Sequence, residues 1–582
     1  MKTEKTNKQE RLSFFRSLYE GAKCSYSDME EEFEKNMRQY RGSTEIDGGK
    51  ENAVTVRNIT YEIVESQVSS DIPQPKADAA CYSEEKERSA HAIEALCRSL
   101  RDRLPFEEMN DLDERYTYIY GGSVWLVEWN SSMSFGTERG GVTVHLLSPK
   151  AFIPQPGITD VEDMEYCFLV CTTTRSEVRR RYGINADMAK NFECEYAYSD
   201  SYTDTDAVRV VITFYKDENG EVGQYVFSGD VELSDVPSYY KRKVRICTSC
   251  GFEYGECECE GADFKFVDLE KENVGDSLGG ILPDNVNTIV PYYTPKRFPI
   301  VIRKNTTCDD LVFGQSDCAF IRPEQQAINK IESRILQKLL RAGVTPVMPE
   351  DATLTLTSSV FGQVIRMKPG ERLDQYGKID TTPDVTLDIK EAERLYDHAK
   401  RTLGISDAFQ GIDSGSGESG RAKQLRISQA NSRLESKKKM KYTAYAEIDR
   451  LIFEHYLAFS DEPRKIAYKD AYGVIHSEEF NRYDFLDVDK RTGTLFYDDA
   501  FLFTVDLNGG TEYQREELWQ RNLDNLRSGT LGDMKSPVTL LRYWQSQERA
   551  HYPYARENVE YFTRIVENEK EQGETKNEEK EE

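Results

Sequence analysis

Apolar side chains recur at helical spacing on both sides of a glycine-rich interruption in the last third of the chain. Over residues 388–403, one helix face collects apolar and aromatic positions, namely Ile389, Ala392, Tyr396, Ala399 and Leu403. Asp388, with Glu391 three residues later, is a predicted N-cap with its capping-box acid. Gly404 is the predicted end of this helix.

A loop and a longer helix follow. Residues 411–420 contain four glycines in ten positions, which predicts an extended, mobile loop. Residues 421–459 then predict one helix, whose last part has a helical repeat in Tyr445, Ile448, Ile452, Tyr456 and Phe459. At 1.5 Å per residue this helix is about 55–60 Å long. We therefore expect the two helices to form either a lever or a wall that presents the loop between them.

Other segments share the helical period. A helix is predicted to open at a capping box formed by Ser27 and Glu30 and to end at Gly42, whereas residues 1–25 form a short mixed segment. Residues 55–70 form a shorter amphipathic segment. Further helices are predicted over residues 84–104, 107–121, 174–182, 322–342, 511–526, 537–544 and 554–569.

A period of two replaces the helical pattern between residues 123 and 227. It predicts mostly antiparallel strands with a hairpin turn at residues 217–220. Residues 287–303 are extended and contain three prolines, residues 345–387 are β-like and rich in turns, and residues 497–507 form a strand. The predicted fold class is therefore α+β, with several domains.

Composition and charge narrow the class of protein. The chain has 582 residues, 38% of them hydrophobic, which is enough for about three or four domains. Its net charge of −27 is opposite to that of most free nucleic-acid binders, although it is compatible with a surface that DNA slides past without adhering. No apolar run approaches the ~20 residues of a membrane span, and the N-terminus has no signal-peptide pattern. We therefore expect synthesis in a reducing cytoplasm, with cysteines present as thiols or metal ligands.

Four cysteines provide the clearest chemical signal. Cys247 and Cys250 form a Cys-x2-Cys pair, and Cys257 and Cys259 follow within a few residues. Four thiolates would fill a tetrahedral zinc site with no open position, so the predicted role of Zn²⁺ is structural. The alternative is a set of free thiols on an acidic surface loop. The other eight cysteines are scattered and are predicted to be structural.

No catalytic site is predicted. Residues 275–279 match the letters of a nucleophile elbow, but no buried strand precedes them and no helix follows. Residues 415–420 match a dinucleotide-binding pattern without the strand that should lead into it. The long helix has a basic run that would contact either phosphates or an acidic neighbouring subunit, or simply form a solvated face: Lys437, Lys438, Lys439 and Lys441.

Short segments in a fixed order over more than 250 residues carry a family resemblance. They are Pro291-Tyr292-Tyr293-x-Pro295, Phe298-Pro299-Ile300-Val301, the helix opening at Arg322-Pro323-Glu324-Gln325, Ser419-Gly420-Arg421-Ala422, Gly529-Thr530-Leu531-Gly532 and Tyr543-Trp544. In this order the chain resembles a portal protein of a tailed bacteriophage or prophage. The four-cysteine insertion is not a general feature of that family.

The resemblance implies an architecture. Residues 1–320 are the N-terminal region and α+β wing, with the cysteine insertion at 244–262. Residues 321–343 and 388–404 are stem helices, 344–387 the clip, 405–420 the tunnel loop and 421–459 the long helix. Residues 460–510 return to the wing, 511–571 form a helical crown, and 572–582 are a disordered acidic tail. The implied channel-facing residues of the tunnel loop are Asp413, Ser414, Gly415, Ser416, Gly417, Glu418 and Ser419.

The resemblance also implies a role and partners. A ring of such chains, typically a dodecamer, would sit at one vertex of the virion capsid, conduct double-stranded DNA during packaging and ejection, and nucleate capsid assembly. It would be assembled in the bacterial cytoplasm with the terminase large subunit, head-completion or connector proteins, and capsid and scaffold proteins, without a membrane. The implied protein is not an enzyme. Two alternatives from other classes are a zinc-containing nucleic-acid-processing enzyme and an intracellular helical scaffold.

Overall fold

The computed structural model describes 23 parts of the chain. They are residues 2–43, 55–81, 83–135, 138–184, 207–250, 259, 263–274, 289–340, 344–347, 355–359, 362–366, 377–380, 383–405, 420–460, 462–469, 475–489, 491–492, 494–506, 512–549, 552, 555, 557–559 and 561–566. The chain is a mixed α+β protein with more than one compact unit, as predicted.

The labelled helices are α1 Lys2–Tyr40, α2 Ile59–Gln67, α3 Glu84–Arg103, α4 Phe106–Tyr120, α5 Arg175–Tyr182, α6 Asp317–Phe320, α7 Arg322–Leu340, α8 Thr386–Leu403, α9 Gly420–Phe459, α10 Glu512–Arg527 and α11 Pro537–Arg549. Helical residues also occur within 555–566. In the part of the chain covered by the structure, no helix combines the length and apolar character needed to cross a membrane.

The strands of the first half are β1 Gln74–Ala79, β2 Gly122–Phe135, β3 Glu138–Leu147, β4 Phe152–Pro154, β5 Tyr166–Thr174, β6 Ala207–Lys216, β7 Val222–Ser228, β8 Val231–Val236, β9 Lys243–Cys247, β10 Phe264–Asp268, β11 Lys271–Asn273 and β12 Ile289–Pro291. Those of the second half are β13 Ile300–Lys304, β14 Thr306–Cys308, β15 Leu311–Gln315, β16 Val344–Val347, β17 Thr355–Ser359, β18 Gly362–Arg366, β19 Gly377–Asp380, β20 Arg464–Lys469, β21 Ile475–Phe480, β22 Leu486–Val488, β23 Leu495–Tyr497 and β24 Phe501–Asp506.

The first compact unit comprises Met1–Glu31, Val68–Gln315 and Glu435–Glu582. It contains an antiparallel five-stranded sheet in the order β4-β5-β6-β7-β8 and a three-stranded sheet in the order β13-β2-β3. The N-terminal part of α1 covers the five-stranded sheet, where Phe15 stacks on Tyr225 and Tyr19 packs edge-on against Phe168. Strand β1 pairs with β24 from the other end of the chain.

The main core of this unit surrounds the C-terminal part of α9. Apolar residues of α3, α4 and β2 pack against it, among them Trp125, whose ring meets the ring of Tyr445 edge-on. Nearly every α9 residue from Ala444 to Ala458 is buried. A helix that is buried all round places its polar residues in the core as well, so those residues need internal partners.

The second compact unit comprises Glu32–Gln67 and Ser316–Leu434. Helices α2, α7 and α8 share an apolar cluster that consists of Ile59, Ile63, Ile321, Ile328, Ala399, Leu403 and Ile405. Asp388 accepts hydrogen bonds from Arg334 and from the Lys338 ammonium, 2.5 Å away, and so joins α7 to α8. Between these helices in sequence lie two antiparallel strand pairs, β16 with β19 and β17 with β18.

Three element predictions are wrong in detail. Helix α1 begins at Lys2 and runs through Ser27, whose hydroxyl donates to the Cys24 carbonyl within the helix (3.0 Å) instead of capping a new one. Helix α8 begins at Thr386, so Asp388 lies in the first turn and not at the N-cap. The strand predicted over residues 497–507 is divided because Asp498 accepts a hydrogen bond from the Ala500 amide in a turn between β23 and β24.

Candidate metal centre

A two-stranded hairpin positions the cysteines. Strands β9 and β10 are antiparallel, and Cys247, the last residue of β9, lies opposite Phe264. Directly after it, both the amide and the hydroxyl of Thr248 donate to the Asp263 carbonyl, each at 2.9 Å. The two strands are therefore tied together at the point where the cysteine segment leaves the ladder.

The sulfur atoms of Cys247, Cys250 and Cys259 all lie within 4.8 Å of one another. A zinc ion with Zn–S bonds of 2.3 Å in a tetrahedral site requires sulfurs about 3.8 Å apart, so the cluster fits such an ion. The Ser249 amide donates to the Cys247 sulfur at 3.4 Å, which is the kind of second contact that stabilises a thiolate ligand. Three cysteine sulfurs gathered in this way could hold a metal ion.

The three ligands differ in their environment. Cys247 is 1% exposed, whereas Cys250 and Cys259 lie at the surface. The fourth predicted ligand, Cys257, lies outside the described residues, and its ligation stays a prediction. A fourth thiolate would leave no coordination position for water, and the metal would then staple the hairpin without taking part in a reaction.

The remaining cysteines that the structure describes differ from one another. Cys97, Cys167 and Cys318 are buried, in agreement with a structural role. Burial raises the pKa of the Cys97 thiol well above its ordinary value, which keeps the sulfur protonated and inert. Cys24 and Cys81 are exposed, so neither contributes to a core.

The basic run on α9 is only partly a surface feature. Lys441 is 4% exposed, pairs with Glu114 at 2.8 Å and donates to the Asp71 carbonyl at 2.6 Å. The prediction that Lys441 contacts DNA or another subunit is therefore wrong, because its charge is used inside the unit. The ammonium of Lys437 is half-buried and lies 5.1 Å from the centre of the Tyr118 ring.

The exposed members of the run are Lys438 and Lys439, and Lys439 lies 3.6 Å from Glu435 one helical turn away. The predicted tunnel-loop residues 413–419 lie outside the described residues. The structure therefore gathers three of the four predicted zinc ligands, and it leaves two lysines of the basic run available to a partner.

Sequence reasoning missed a buried ionic network around Arg303. This arginine is 2% exposed and donates to Asp113 and, at 3.0 Å, to Glu114. Burial opposes ionisation of Glu114, but the nearby charges of Arg303 and Lys441 hold its pKa below its ordinary value. The partners come from helices α4 and α9 and strand β13, and no local pattern links residues so far apart in sequence.

No protein-family model and no curated protein matches the chain. The features of the molecule that bear on its function are therefore the order of its elements, its metal centre and its charge.

Proposed function

We propose that the chain is the subunit of a portal ring at one vertex of a tailed-phage or prophage capsid, a conduit for double-stranded DNA during packaging and ejection. The order of elements between residues 322 and 459 carries this proposal. Helix α7 is followed by strands β16 to β19, by helix α8, and then by the 40-residue helix α9. This is the order of stem helix, clip, stem helix and long helix expected of a portal.

The packing of α7 and α8 supports the assignment of a two-helix stem. Both helices contribute to one apolar cluster, in which Ile328 and Ala399 are completely buried. Asp388, which faces Arg334 and Lys338, adds an ionic contact between the same two helices. A stiff pair of helices is what a channel wall requires if it is to keep its shape while DNA moves past.

The length and burial of α9 support a second part of the proposal. Forty residues at 1.5 Å each give a helix of about 60 Å. From Glu435 onward it belongs to the first unit, where it forms the centre of the main core. In a portal subunit, such a helix would carry load between the body and the segment 405–420, which we propose as the tunnel loop.

The charge of the chain agrees with a conduit. With a net charge of −27, a ring of these chains would repel the DNA backbone over most of its surface. Tight phosphate contacts would slow translocation, because each one adds a salt-dependent attraction that has to be broken. Lys438 and Lys439 are the exposed positive positions on α9 that we propose for local contacts with DNA or with a neighbouring subunit.

In this role the protein is a platform and not an enzyme. We propose that the terminase large subunit supplies the motor, that head-completion or connector proteins dock on the clip, and that capsid and scaffold proteins surround the ring in the virion. The zinc ion, which we assign to Cys247, Cys250, Cys257 and Cys259, is structural. Within the described residues, Cys247, Cys250 and Cys259 form the only candidate metal cluster, and no open carboxylate or histidine centre there favours the alternative of a zinc enzyme.

The mass of the purified protein under native conditions tests the proposal. A ring of twelve chains of 67.0 kDa gives a particle of about 800 kDa with a central channel visible by negative-stain electron microscopy. A particle of this size with rotational symmetry supports a portal. A protein that stays monomeric at high concentration and in assembly buffer would contradict it.

A further inference from the structure

A cleft of about 750 Å³ opens in the first unit near the base of the cysteine hairpin. Its lining is rich in positive charge, although the whole chain is strongly acidic. Five lining side chains are cationic and two are acidic: Arg139, Lys241, Arg242, Lys243 and Arg464, with Glu138 and Glu462. Such a local reversal of sign is the electrostatic property of a site for an anion.

Arg464 is the buried cation of this cleft, with 7% of its surface exposed. Its guanidinium donates to the carbonyls of Gly140 at 2.8 Å and Arg139 at 2.9 Å, and to the Ser460 hydroxyl at 3.0 Å. All three acceptors are neutral. Because a guanidinium has five N–H donors, two remain for a further acceptor.

Arg464 differs in this respect from the other buried arginines. Each of those that the structure describes has a carboxylate partner: Arg101 with Asp449, Arg303 with Asp113, and Arg482 with Glu272. In the described part of the chain, no carboxylate oxygen lies within the 4.0 Å ion-pair distance of Arg464. A buried charge without a counter-charge is unfavourable, and an anion bound in the cleft would supply one.

Aromatic rings fix the guanidinium in place and limit the chemistry of the ligand. The charge of Arg464 lies 5.1 Å from the ring centre of Trp129 and 5.2 Å from that of Tyr456. Trp129 also stacks on Phe459 at 5.5 Å. Because the indole packs against both the guanidinium and Phe459, it offers little room for a nucleobase. The site therefore suits a compact oxyanion.

The cations at the rim complete the site. Arg139, Arg242 and Lys243 are exposed around the cleft. Lys241, which also lines it, donates to both carboxylate oxygens of Glu221 at 2.8 Å. We propose that this cleft binds a phosphate group, with the two remaining donors of Arg464 on its oxygens and the rim cations around it. The phosphate is either a free ion or part of a nucleic-acid backbone.

Isothermal titration calorimetry with inorganic phosphate, at constant ionic strength, tests this site in the full chain. We expect saturable binding, which Arg464→Gln abolishes. A double variant of the exposed rim, Arg242→Ser with Lys243→Ser, should weaken binding about tenfold or more while the fold stays intact. Lys465→Ser is the matched control, since Lys465 is an exposed neighbour of Arg464 that does not line the cleft.

Competition identifies the source of the phosphate. Displacement of bound phosphate by a short DNA duplex supports a backbone site, and retention in its presence supports a site for the free ion. Absence of phosphate binding, or binding that neither the Arg464 variant nor the rim variant changes, would overturn the proposal. The native mass of the same variants is a separate measurement, so failure of this site is distinguishable from failure of ring assembly.

Discussion

Glu454 and His455 are neighbours on α9, and both are buried, with opposite consequences for their protonation. Burial raises the pKa of Glu454 to about 7, although Arg297 and Arg450 favour its charged form. Burial lowers the pKa of His455 to about 4, and its Nδ1 donates to the Leu451 carbonyl at 2.7 Å. The folded protein therefore favours the neutral form of both side chains.

These shifts make opposite contributions to stability as the pH changes. The protonated Glu454 carboxyl contributes to the free energy of unfolding. This contribution is fully present below the ordinary pKa of 4.5 and is lost as the pH rises towards 7. The contribution of neutral His455 is lost as the pH falls from 6.5 towards 4. Between pH 4.5 and 6.5 the two slopes oppose each other, so a single variant is needed to separate them.

Glu454→Gln should remove the loss of stability with rising pH that Glu454 causes. Between pH 5 and 8, the unfolding free energy of the wild type should fall relative to that of the variant, by on the order of 3 kcal/mol. Urea unfolding at several pH values measures this difference. The control is Glu447→Gln on the same helix, whose carboxyl is 40% exposed. Parallel pH profiles for wild type and Glu454→Gln would contradict the burial argument.

The cysteine cluster gives a second prediction at the residue scale. Purified protein should contain about one zinc ion per chain, and Cys247→Ser or Cys259→Ser should reduce this to near zero because a site with three thiolates binds zinc far more weakly. Elemental analysis measures the stoichiometry. Cys81→Ser replaces an exposed cysteine elsewhere and should leave it unchanged. Wild-type protein without zinc would refute the metal centre.

The residues that sequence alone identified have local signatures. The spacing of Cys247, Cys250 and Cys259 was sufficient to predict the cluster, because the residues of a metal site built on one hairpin are close together in sequence. Arg464 and Glu114 have no such signature, since their environment is made by strands and helices far away in the chain. Lys441 belongs to the same run of lysines as the exposed Lys438 and Lys439, and only its burial in the fold distinguishes it from them.

At the scale of elements, the sequence predicts the existence of strongly periodic helices well, and it predicts the residues at which they begin less well. The predicted helix over 322–342 corresponds to α7, and that over 421–459 corresponds to α9, each within two residues at either end. Helix α1 is longer than predicted because Phe15, Tyr19 and Ala22, at helical spacing, lie on one face and pack in one cluster. Strands β20 and β21 were not predicted, because alternation over six residues is a weak signal.

Helices α7 and α8 provide a prediction at this scale. Ile328 on α7 is completely buried in their shared cluster, so Ile328→Ala should reduce the stability of the second unit by about 2–5 kcal/mol. Ile389→Ala on α8 is the matched control, since Ile389 is 43% exposed, and it should change stability by less than about 0.5 kcal/mol. Denaturant unfolding measures both, and equal effects would argue against the cluster as the contact that holds the helices together.

At the scale of the whole molecule, the chain does not divide into consecutive domains. The first unit is interrupted by residues 32–67 and 316–434, and the second by residues 68–315, so composition along the chain gives no boundary between the two. The α+β class was predictable because the helical and strand periods are visible locally. The pairing of β1 with β24 was not, because strand partners at opposite ends of a chain leave no mark in either sequence.

Because of that pairing, the ladder of β1 cannot form until the ribosome has translated β24. Strand β1 joins β24 in a ladder from Gln74 with Asp506 to Ala79 with Phe501, so more than 400 residues are translated between the two strands. At translation rates of roughly 5–20 residues per second, β1 leaves the ribosome about 20–90 s before its partner exists. During that interval its edge is open to other nascent chains. A ribosome that stalls before Phe501 therefore releases a chain whose first unit lacks the ladder between β1 and β24.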